Sequence, residues 1–255
     1  MSRHQSPVHL LWARLPNCSL PEIGRLSSLL DLDERNRFLA YTRNEDRWRF
    51  VLGRALLFFG IKTLFGNRRC DLKLTSFGRP YLEFQGHSKF DFNISHSGQL
   101  VVCAFVQEGR VGVDVADLNE FGDYNDLLDS VLTPQEKTRL ELNSCSQKQK
   151  CFARYWTVKE AILKFSGVGL HIEPPQINVD FSNPRYPKIV ECPSLVSEKP
   201  KDLFVESWCF QKDMMIALVW QKLSNYKNSD YQELEPRIQF IPTESLLNIR
   251  RFSNR

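Results

Sequence analysis

The chain has 255 residues, of which 42% are hydrophobic and 25% are charged, and its formal net charge is +4. This composition is typical of a folded globular protein, and the length allows one domain or two small halves. The modest net charge does not indicate a nucleic-acid binder. The sequence contains no run of 18 apolar residues, so we expect no membrane span.

The N-terminal segment and the cysteines indicate the compartment. Val8 to Leu15 is apolar but short and carries His9 and Arg14, so it predicts a strand rather than a signal peptide. The seven cysteines form no CxxC pair, which favours reduced thiols and argues against a zinc ribbon. We therefore expect a cytoplasmic monomer that has neither a membrane nor a nucleic acid as partner.

The first part of the chain predicts three helices and then several strands. Helices are expected across Pro21 to Leu30, through Tyr41, and from Asn44 to Phe65, with Asn44 as N-cap and Gly66 as the stop. Strands are then predicted at Leu72–Thr75, Tyr81–Phe84, Phe90–Ser95, Leu100–Val106 and Val111–Val115. Ser97-Gly98 separates two of these strands, which predicts a hairpin.

The second part repeats this order. Thr133, Pro134 and Glu136 form a capping-box signature at a helix start, and a second helix is predicted from Phe152 to Gly169. Further strands are expected at Ile177–Phe181, Pro187–Val190, Leu203–Phe210 and Met214–Gln221. We predict an α+β fold of two similar halves, residues 1–116 and 117–255, with a polar peripheral tail from about residue 225.

Arginines are concentrated between Arg35 and Arg54. They indicate a local site for phosphate or another anion, or else a solvated helix face. A non-catalytic module that binds RNA or a phosphorylated partner through this patch is an alternative function. It requires exposed aromatic residues between the arginines, and Trp48 and Phe50 fit a helix core equally well.

Polar residues also interrupt two predicted strands. The run from Phe92 to Gly98 contains Ser95, His96 and Ser97, which suit either a polar turn or hydrogen bonds to an anion. A hydrolase that uses Ser95 or Ser97 is the weakest interpretation, because the chain has no G-x-S-x-G motif.

Asp114 lies inside an apolar strand, where a carboxylate is costly to bury unless it is paired or bound to a cation. An ion pair with an arginine and a magnesium site are both open, and Glu160 is the candidate for a second carboxylate ligand. Trp156, Glu160 and Lys164 lie four residues apart, so they share one face of the predicted helix.

Four motifs in order resemble the phosphopantetheinyl transferases of the surfactin-synthetase-activating type. They are Gly78-Arg79-Pro80, Phe92-Asn93-Ile94-Ser95-His96-Ser97, Val111-Gly112-Val113-Asp114, and Trp156-Thr157-Val158-Lys159-Glu160-Ala161 with Lys164. The resemblance implies an enzyme that transfers the phosphopantetheine arm of coenzyme A to a serine of an apo acyl, polyketide or peptidyl carrier protein. Adenosine 3',5'-bisphosphate is the product released. It also implies two pseudo-twofold halves with coenzyme A in the cleft between them.

The resemblance further implies roles for individual residues. Asp114 and Glu160 would bind Mg²⁺, and Asp114, Glu160 and Lys164 would be the catalytic groups. Either Glu160 or a metal-bound water would accept the serine proton. The residues expected to hold coenzyme A are Arg37, Arg49, Arg79, Asn93, Ser95, His96, Lys159 and Lys164. Many members have Asp-x-Glu in the metal strand, whereas this chain has Ala116, so we expect weaker metal binding through two carboxylates.

Overall fold

A computed structural model describes residues 8–15, 20–66, 70–84, 90–122, 124–197, 199–222, 236–247 and 249. The first half contains β1 (Val8–Arg14), α1 (Leu20–Ser27), α2 (Leu32–Ala40), α3 (Asn44–Phe65), β2 (Cys70–Leu74), β3 (Pro80–Phe84), β4 (Phe90–Ser97) and β5 (Leu100–Gln107). The second half contains β6 (Gly109–Asp117), α4 (Leu128–Val131), α5 (Pro134–Glu141), α6 (Cys145–Ser166), β7 (Asn178–Asp180), β8 (Lys188–Glu191), β9 (Phe204–Phe210) and β10 (Met214–Lys222). β11 (Arg237–Phe240) and α7 (Thr243–Leu246) follow.

The two halves have the same strand topology. In the first sheet β1 pairs with β5 and β5 with β4, all antiparallel. In the second sheet β6 pairs with β10 and β10 with β9, again antiparallel. Each half also has one 22-residue helix that precedes a separate two-stranded hairpin. The predicted α+β fold of two similar halves is therefore confirmed.

The start of the second half differs from the expected boundary after residue 116. β6 makes its main-chain hydrogen bonds to β10, with Asp114 opposite Ala217. The strand therefore belongs to the second sheet, and the second half begins at Gly109. The sequence offered no signal for this point, because β5 and β6 are separated only by Glu108.

Apolar layers hold the halves together. Alternate residues of β6, including Val111, Val113 and Val115, pack in one core with residues of β1, β5 and β10. α3 packs on the first sheet, and α6 packs on the second. Full burial of one such aliphatic side chain stabilises the fold by about 1.5–3 kcal/mol. These layers therefore fix the two sheets and the two long helices relative to one another.

Glycines set the position of α6. Gly167 follows the helix in the left-handed conformation, with φ 73°, which ends α6 as predicted. A Cβ on Gly112 of β6 would collide with the backbone of Ala161 and Phe165. Glycine thus allows α6 to approach β6 closely, and this approach places Glu160 near Asp114.

Two predictions for helix starts have different outcomes. The capping box at α5 is confirmed, since Thr133 and Glu136 each accept a hydrogen bond from the other's backbone N–H. Asn44 is not the N-cap of α3, because Arg43 occupies that position and Asn44 is the first helical residue. The helix ends at Gly66 as predicted.

The C-terminal segment is only partly peripheral. Residues 223–235 lie outside the described part of the chain. β11 pairs in parallel with β1, and both Ile241 and Leu246 are buried in the core of the first half. The expectation of a peripheral tail is therefore wrong for residues 236–247. The helices in the described part of the chain include none that is both long enough and apolar enough to cross a bilayer.

Candidate active site

A pocket of about 370 Å³ lies where β4 and β6 end and α6 passes over them. Both halves contribute to its walls. Trp156, Glu160 and Lys164 all face it, as their spacing predicted, and Asp114 lies on the opposing strand. Ser95 and His96 complete the polar lining from the first half.

Side chains of β4 form a ladder of hydrogen bonds to the backbone of β6. These strands belong to different sheets, so the ladder replaces main-chain pairing at the junction. The four bonds are Val111 N–H to Asp91 Oδ2 (2.9 Å), Val113 N–H to Asn93 Oδ1 (3.0 Å), Val115 N–H to Ser95 Oγ (3.3 Å) and Asp117 N–H to Ser97 Oγ (2.9 Å). The alternating polar residues of β4 therefore have a structural role, which the sequence analysis missed.

Asp114 is the centre of the polar cluster and is only 5% exposed. Its Oδ1 lies 2.6 Å from Lys164 Nζ and accepts a hydrogen bond of 2.8 Å from the Ser95 hydroxyl. Lys164 Nζ also donates to Ser95 Oγ at 3.0 Å. The ion-pair partner is thus a lysine, not an arginine. Asp114 Oδ2 is buried and has no hydrogen-bond partner among the described residues.

Glu160 is half-buried beside Asp114. Burial raises the pKa of its carboxyl group, the negative charge of Asp114 raises it further, and Lys164 opposes the shift. No described residue bonds to this carboxylate. A buried oxygen without a partner next to a second unpaired carboxylate is a donor set that suits a hard divalent cation. The fit rests on two carboxylates, because the described residues contain no cluster of three candidate ligands.

Asp117, the last residue of β6, and Glu120 in the turn that follows also line the pocket, but hydrogen bonds already engage both carboxylates. Asp117 caps a 3₁₀ turn, where its Oδ1 accepts from Asn119 N–H at 2.9 Å. Glu120 lines the pocket, but it accepts hydrogen bonds from Ser97 Oγ at 2.7 Å and Gly98 N–H at 3.2 Å. Sequence analysis missed Glu120, because nothing in a polar loop indicates that it closes onto a hairpin.

His96 lies at the exposed edge of the site, and Arg49 lies behind it, outside the pocket lining. Desolvation lowers the pKa of His96, and the charges of Lys164 and Arg49 add to the effect, which favours the uncharged ring at neutral pH. Arg49 donates through Nε and Nη2 to Gly98 O, at 3.0 and 2.9 Å, which holds it against the hairpin that carries His96. Arg37 is exposed on α2, with its guanidinium 5.5 Å from the ring centre of Phe50, and does not line the pocket.

Five residues expected to hold coenzyme A lie outside the pocket lining, and three of them are bound inside the protein. Asn93 is used in the ladder between the strands. Arg79 is buried in a bidentate ion pair with Asp91. Lys159 is fully buried, and its Nζ lies 2.5 Å from Glu136 Oε2. Their polar groups are bound inside the protein, so they are not available to a ligand in this arrangement.

The arginine patch does not meet the requirement for RNA binding. Trp48 and Phe50 are only 7% and 9% exposed, so they serve the core and not a surface. Arg54 is itself buried and pairs with Glu34 at 2.6 Å. These contacts remove the aromatic residues that the alternative function needed.

Comparison with known proteins gives the family. Residues 17–108 match the model of the 4'-phosphopantetheinyl transferase N-terminal region, and residues 110–219 match that of the 4'-phosphopantetheinyl transferase superfamily. The chain is 35% identical over 172 residues to the 4'-phosphopantetheinyl transferase HetI of Nostoc sp., covering 64% of this chain and 70% of that protein. The chain belongs to the 4'-phosphopantetheinyl transferase superfamily.

Other similar proteins carry related names. The 4'-phosphopantetheinyl transferase gsp of Aneurinibacillus migulanus is 28% identical over 172 residues, covering 65% of this chain and 68% of that protein. A solved holo-(acyl-carrier-protein) synthase from Bacillus anthracis in complex with CoA is 20% identical and covers 45% of this chain and 96% of its own, with a TM-score of 0.36. The two family segments meet at Gly109, where β6 of this phosphopantetheinyl transferase begins.

Proposed function

We propose that this phosphopantetheinyl transferase uses coenzyme A as donor, a serine of an apo carrier protein as acceptor, and Mg²⁺ held by Asp114 and Glu160. One observation carries the proposal. Asp114 Oδ2 is buried without a partner beside the unpaired Glu160, at the junction of the two halves. A bound divalent cation would satisfy both carboxylates and would stabilise the charge of a diphosphate during phosphoryl transfer.

Side chains around the carboxylates are arranged to bind phosphate groups. Asp114 holds the Lys164 ammonium at the pocket wall, where 30% of that side chain remains exposed. Ser95 donates to Asp114, which fixes its hydroxyl. The uncharged His96 ring retains one N–H donor. Arg49 pairs with Asp46 at 2.8 Å and donates to Gly98 O, so it supports the hairpin that carries His96. Lys164 and His96 can therefore supply charge and hydrogen bonds to a diphosphate without moving far, while Ser95 and Arg49 hold the structure around them.

Glu160 also suits the proton transfer. Without a bound cation, burial and the charge of Asp114 raise the pKa of its carboxyl group, and a bound Mg²⁺ would oppose this shift. In the reaction the serine oxygen forms a bond to the β-phosphorus of coenzyme A, and the bond from that phosphorus to the bridging oxygen breaks. Adenosine 3',5'-bisphosphate leaves with the electron pair, and the serine proton passes either to Glu160 or to a water bound to the metal.

The proposed acceptors are acyl, polyketide and peptidyl carrier proteins, and we propose that the enzyme acts as a cytoplasmic monomer. Apo forms of each carrier class are incubated with the enzyme, coenzyme A and Mg²⁺, and their intact masses are measured. We expect a gain of one phosphopantetheine arm on at least one class. The gain should disappear in Glu160→Gln and persist in Glu141→Gln, a control at an exposed carboxylate of α5. No gain on any carrier would contradict the proposal.

A further inference from the structure

Arg79 binds three different elements with one guanidinium group and is only 8% exposed. Its two terminal nitrogens donate to the Asp91 carboxylate of β4 at 2.8 and 2.6 Å. Nη2 also donates to Phe92 O at 3.2 Å and to Val111 O of β6 at 2.9 Å. Nε donates to Lys164 O of α6 at 3.1 Å. The group thus connects the first half to both the strand and the helix that carry the active-site carboxylates.

The bond to Lys164 matters because of its place in the helix. α6 ends at Ser166, and the last carbonyls of a helix have no partner within it. An arginine that donates to such a carbonyl caps the helix and matches its dipole. The side chain of this same lysine pairs with Asp114 in the pocket. Arg79 therefore fixes the backbone of a residue whose ammonium group lies in the active site.

We infer that Arg79 is a positioning residue, which holds the last turn of α6 so that Lys164 and Glu160 meet Asp114, and that it is not a ligand of coenzyme A. Release of its guanidinium to bind phosphate would leave the Asp91 carboxylate buried and uncompensated, which is strongly unfavourable. Asp91 belongs to the same hydrogen-bond network, since its Oδ2 also accepts from Val111 N–H. The inference rests on the proposed function for its kinetic consequences.

Lysine cannot replace this arginine. The planar guanidinium presents five donors in a fixed fork, whereas a lysine ammonium is a single point of charge. Arg79→Lys keeps the charge but loses the bidentate pair and most of the carbonyl contacts. Asp91→Asn leaves Arg79 in place but removes the charge that orients it. A phosphate ligand and a positioning residue predict different results for these two variants.

The test measures kcat and KM for coenzyme A in Arg79→Lys, in Asp91→Asn and in the double variant. A shift of catalytic groups on the order of 1 Å can cost about 100-fold, so we expect kcat to fall roughly 10- to 100-fold in each single variant. KM for coenzyme A should stay within about twofold, and the double variant should be no worse than the poorer single one. Arg110→Lys is the matched control, because Arg110 also lies against Gly167 and has its guanidinium 5.9 Å from the ring centre of Phe165, but no hydrogen bond from its guanidinium to the backbone of α6 is present among the described residues. A lysine keeps the positive charge for this ring contact.

Hydrogen exchange gives a second measurement that does not depend on activity. We expect faster amide exchange over Leu163–Gly167 in both single variants and not in Arg110→Lys. The inference is overturned if Arg79→Lys raises KM for coenzyme A about tenfold while Asp91→Asn leaves kcat and exchange unchanged. A wild-type enzyme that transfers nothing would contradict the proposed function, whereas unchanged exchange in both variants would contradict the positioning role.

Discussion

The buried ion pair between Lys159 and Glu136 allows a direct test of whether Lys159 binds coenzyme A or supports the fold. Both side chains are 0% exposed. Lys159 Nζ also donates to Val131 O at 2.7 Å, and Glu136 accepts from Thr133 N–H and Val179 N–H, each at 2.8 Å. The network joins α6, α5 and β7. Lys159→Met keeps a similar length and removes only the charge and its donors.

The expected cost follows from burial. Removal of one partner from a buried ion pair leaves the other charge uncompensated and costs about 3–5 kcal/mol. The total free energy of unfolding of a native protein is about 5–15 kcal/mol, so this loss would be a large fraction of it. At about 2–4 °C per kcal/mol for a chain of this size, the unfolding midpoint should fall by roughly 6–20 °C. Burial lowers the pKa of Lys159 against the attraction of Glu136, so desolvation of the charge is already costly in the native state.

A second substitution separates lost charge from lost packing. Lys159→Met combined with Glu136→Gln removes both charges, and we expect it to recover most of the stability lost in the single variant. Thermal unfolding by circular dichroism and KM for coenzyme A are measured for the wild type and both variants. An unchanged unfolding midpoint in Lys159→Met, together with a tenfold rise in KM for coenzyme A, would show that Lys159 contacts the ligand and would refute this reasoning.

Three further outcomes are expected. Asn93→Leu leaves Val113 N–H without its acceptor and should lower the free energy of unfolding by about 1–3 kcal/mol, while Asn93→Ser, which keeps an uncharged oxygen like those of Ser95 and Ser97 in the same ladder, should lose less in a urea titration. Glu160→Gln should raise the unfolding midpoint without divalent cations at neutral pH. The pKa of Glu160 is raised in the folded state, so its carboxylate destabilises the fold above that pKa, and the difference in unfolding midpoint between variant and wild type should vanish once the pH falls below the ordinary value of 4.5. Mg²⁺ should stabilise the wild type and not the variant. The opposite pattern would count against the metal site. Ala116→Glu adds a carboxylate to the pocket wall and should lower the Mg²⁺ concentration for half-maximal activity, so an unchanged requirement would contradict a two-carboxylate site.

Local signals allowed much of this fold to be predicted from sequence. Gly66 and Gly167 mark the ends of the two long helices, and the capping box at Thr133 marks the start of α5. The four-residue spacing of Trp156, Glu160 and Lys164 placed all three on the face that lines the pocket. Each of these signals depends only on residues close together in the chain.

Roles that depend on distant partners could not be predicted. Asn93 has the same polar character as a ligand-binding residue, and only its bond to Val113, on a strand of the other sheet, shows its structural use. The structural role of Arg79 depends on its hydrogen bonds to Asp91 and to the carbonyl of Lys164, which are 12 and 85 residues away in the chain. β11 is a short exposed strand, and its place beside β1 is set by a partner more than 200 residues away. The motifs identified the site, but they did not distinguish residues that contact a ligand from residues that hold the surrounding structure in place.

The central claim is that Asp114 and Glu160 hold one divalent ion against the diphosphate of coenzyme A. A crystal structure with coenzyme A and Mn²⁺, in which anomalous scattering locates the metal, tests it most directly. We predict one metal ion in contact with Asp114 Oδ2, a Glu160 oxygen and oxygens of the diphosphate. A metal ion bound elsewhere, or coenzyme A seated away from these carboxylates with Asp114 Oδ2 still unpartnered, would contradict the account.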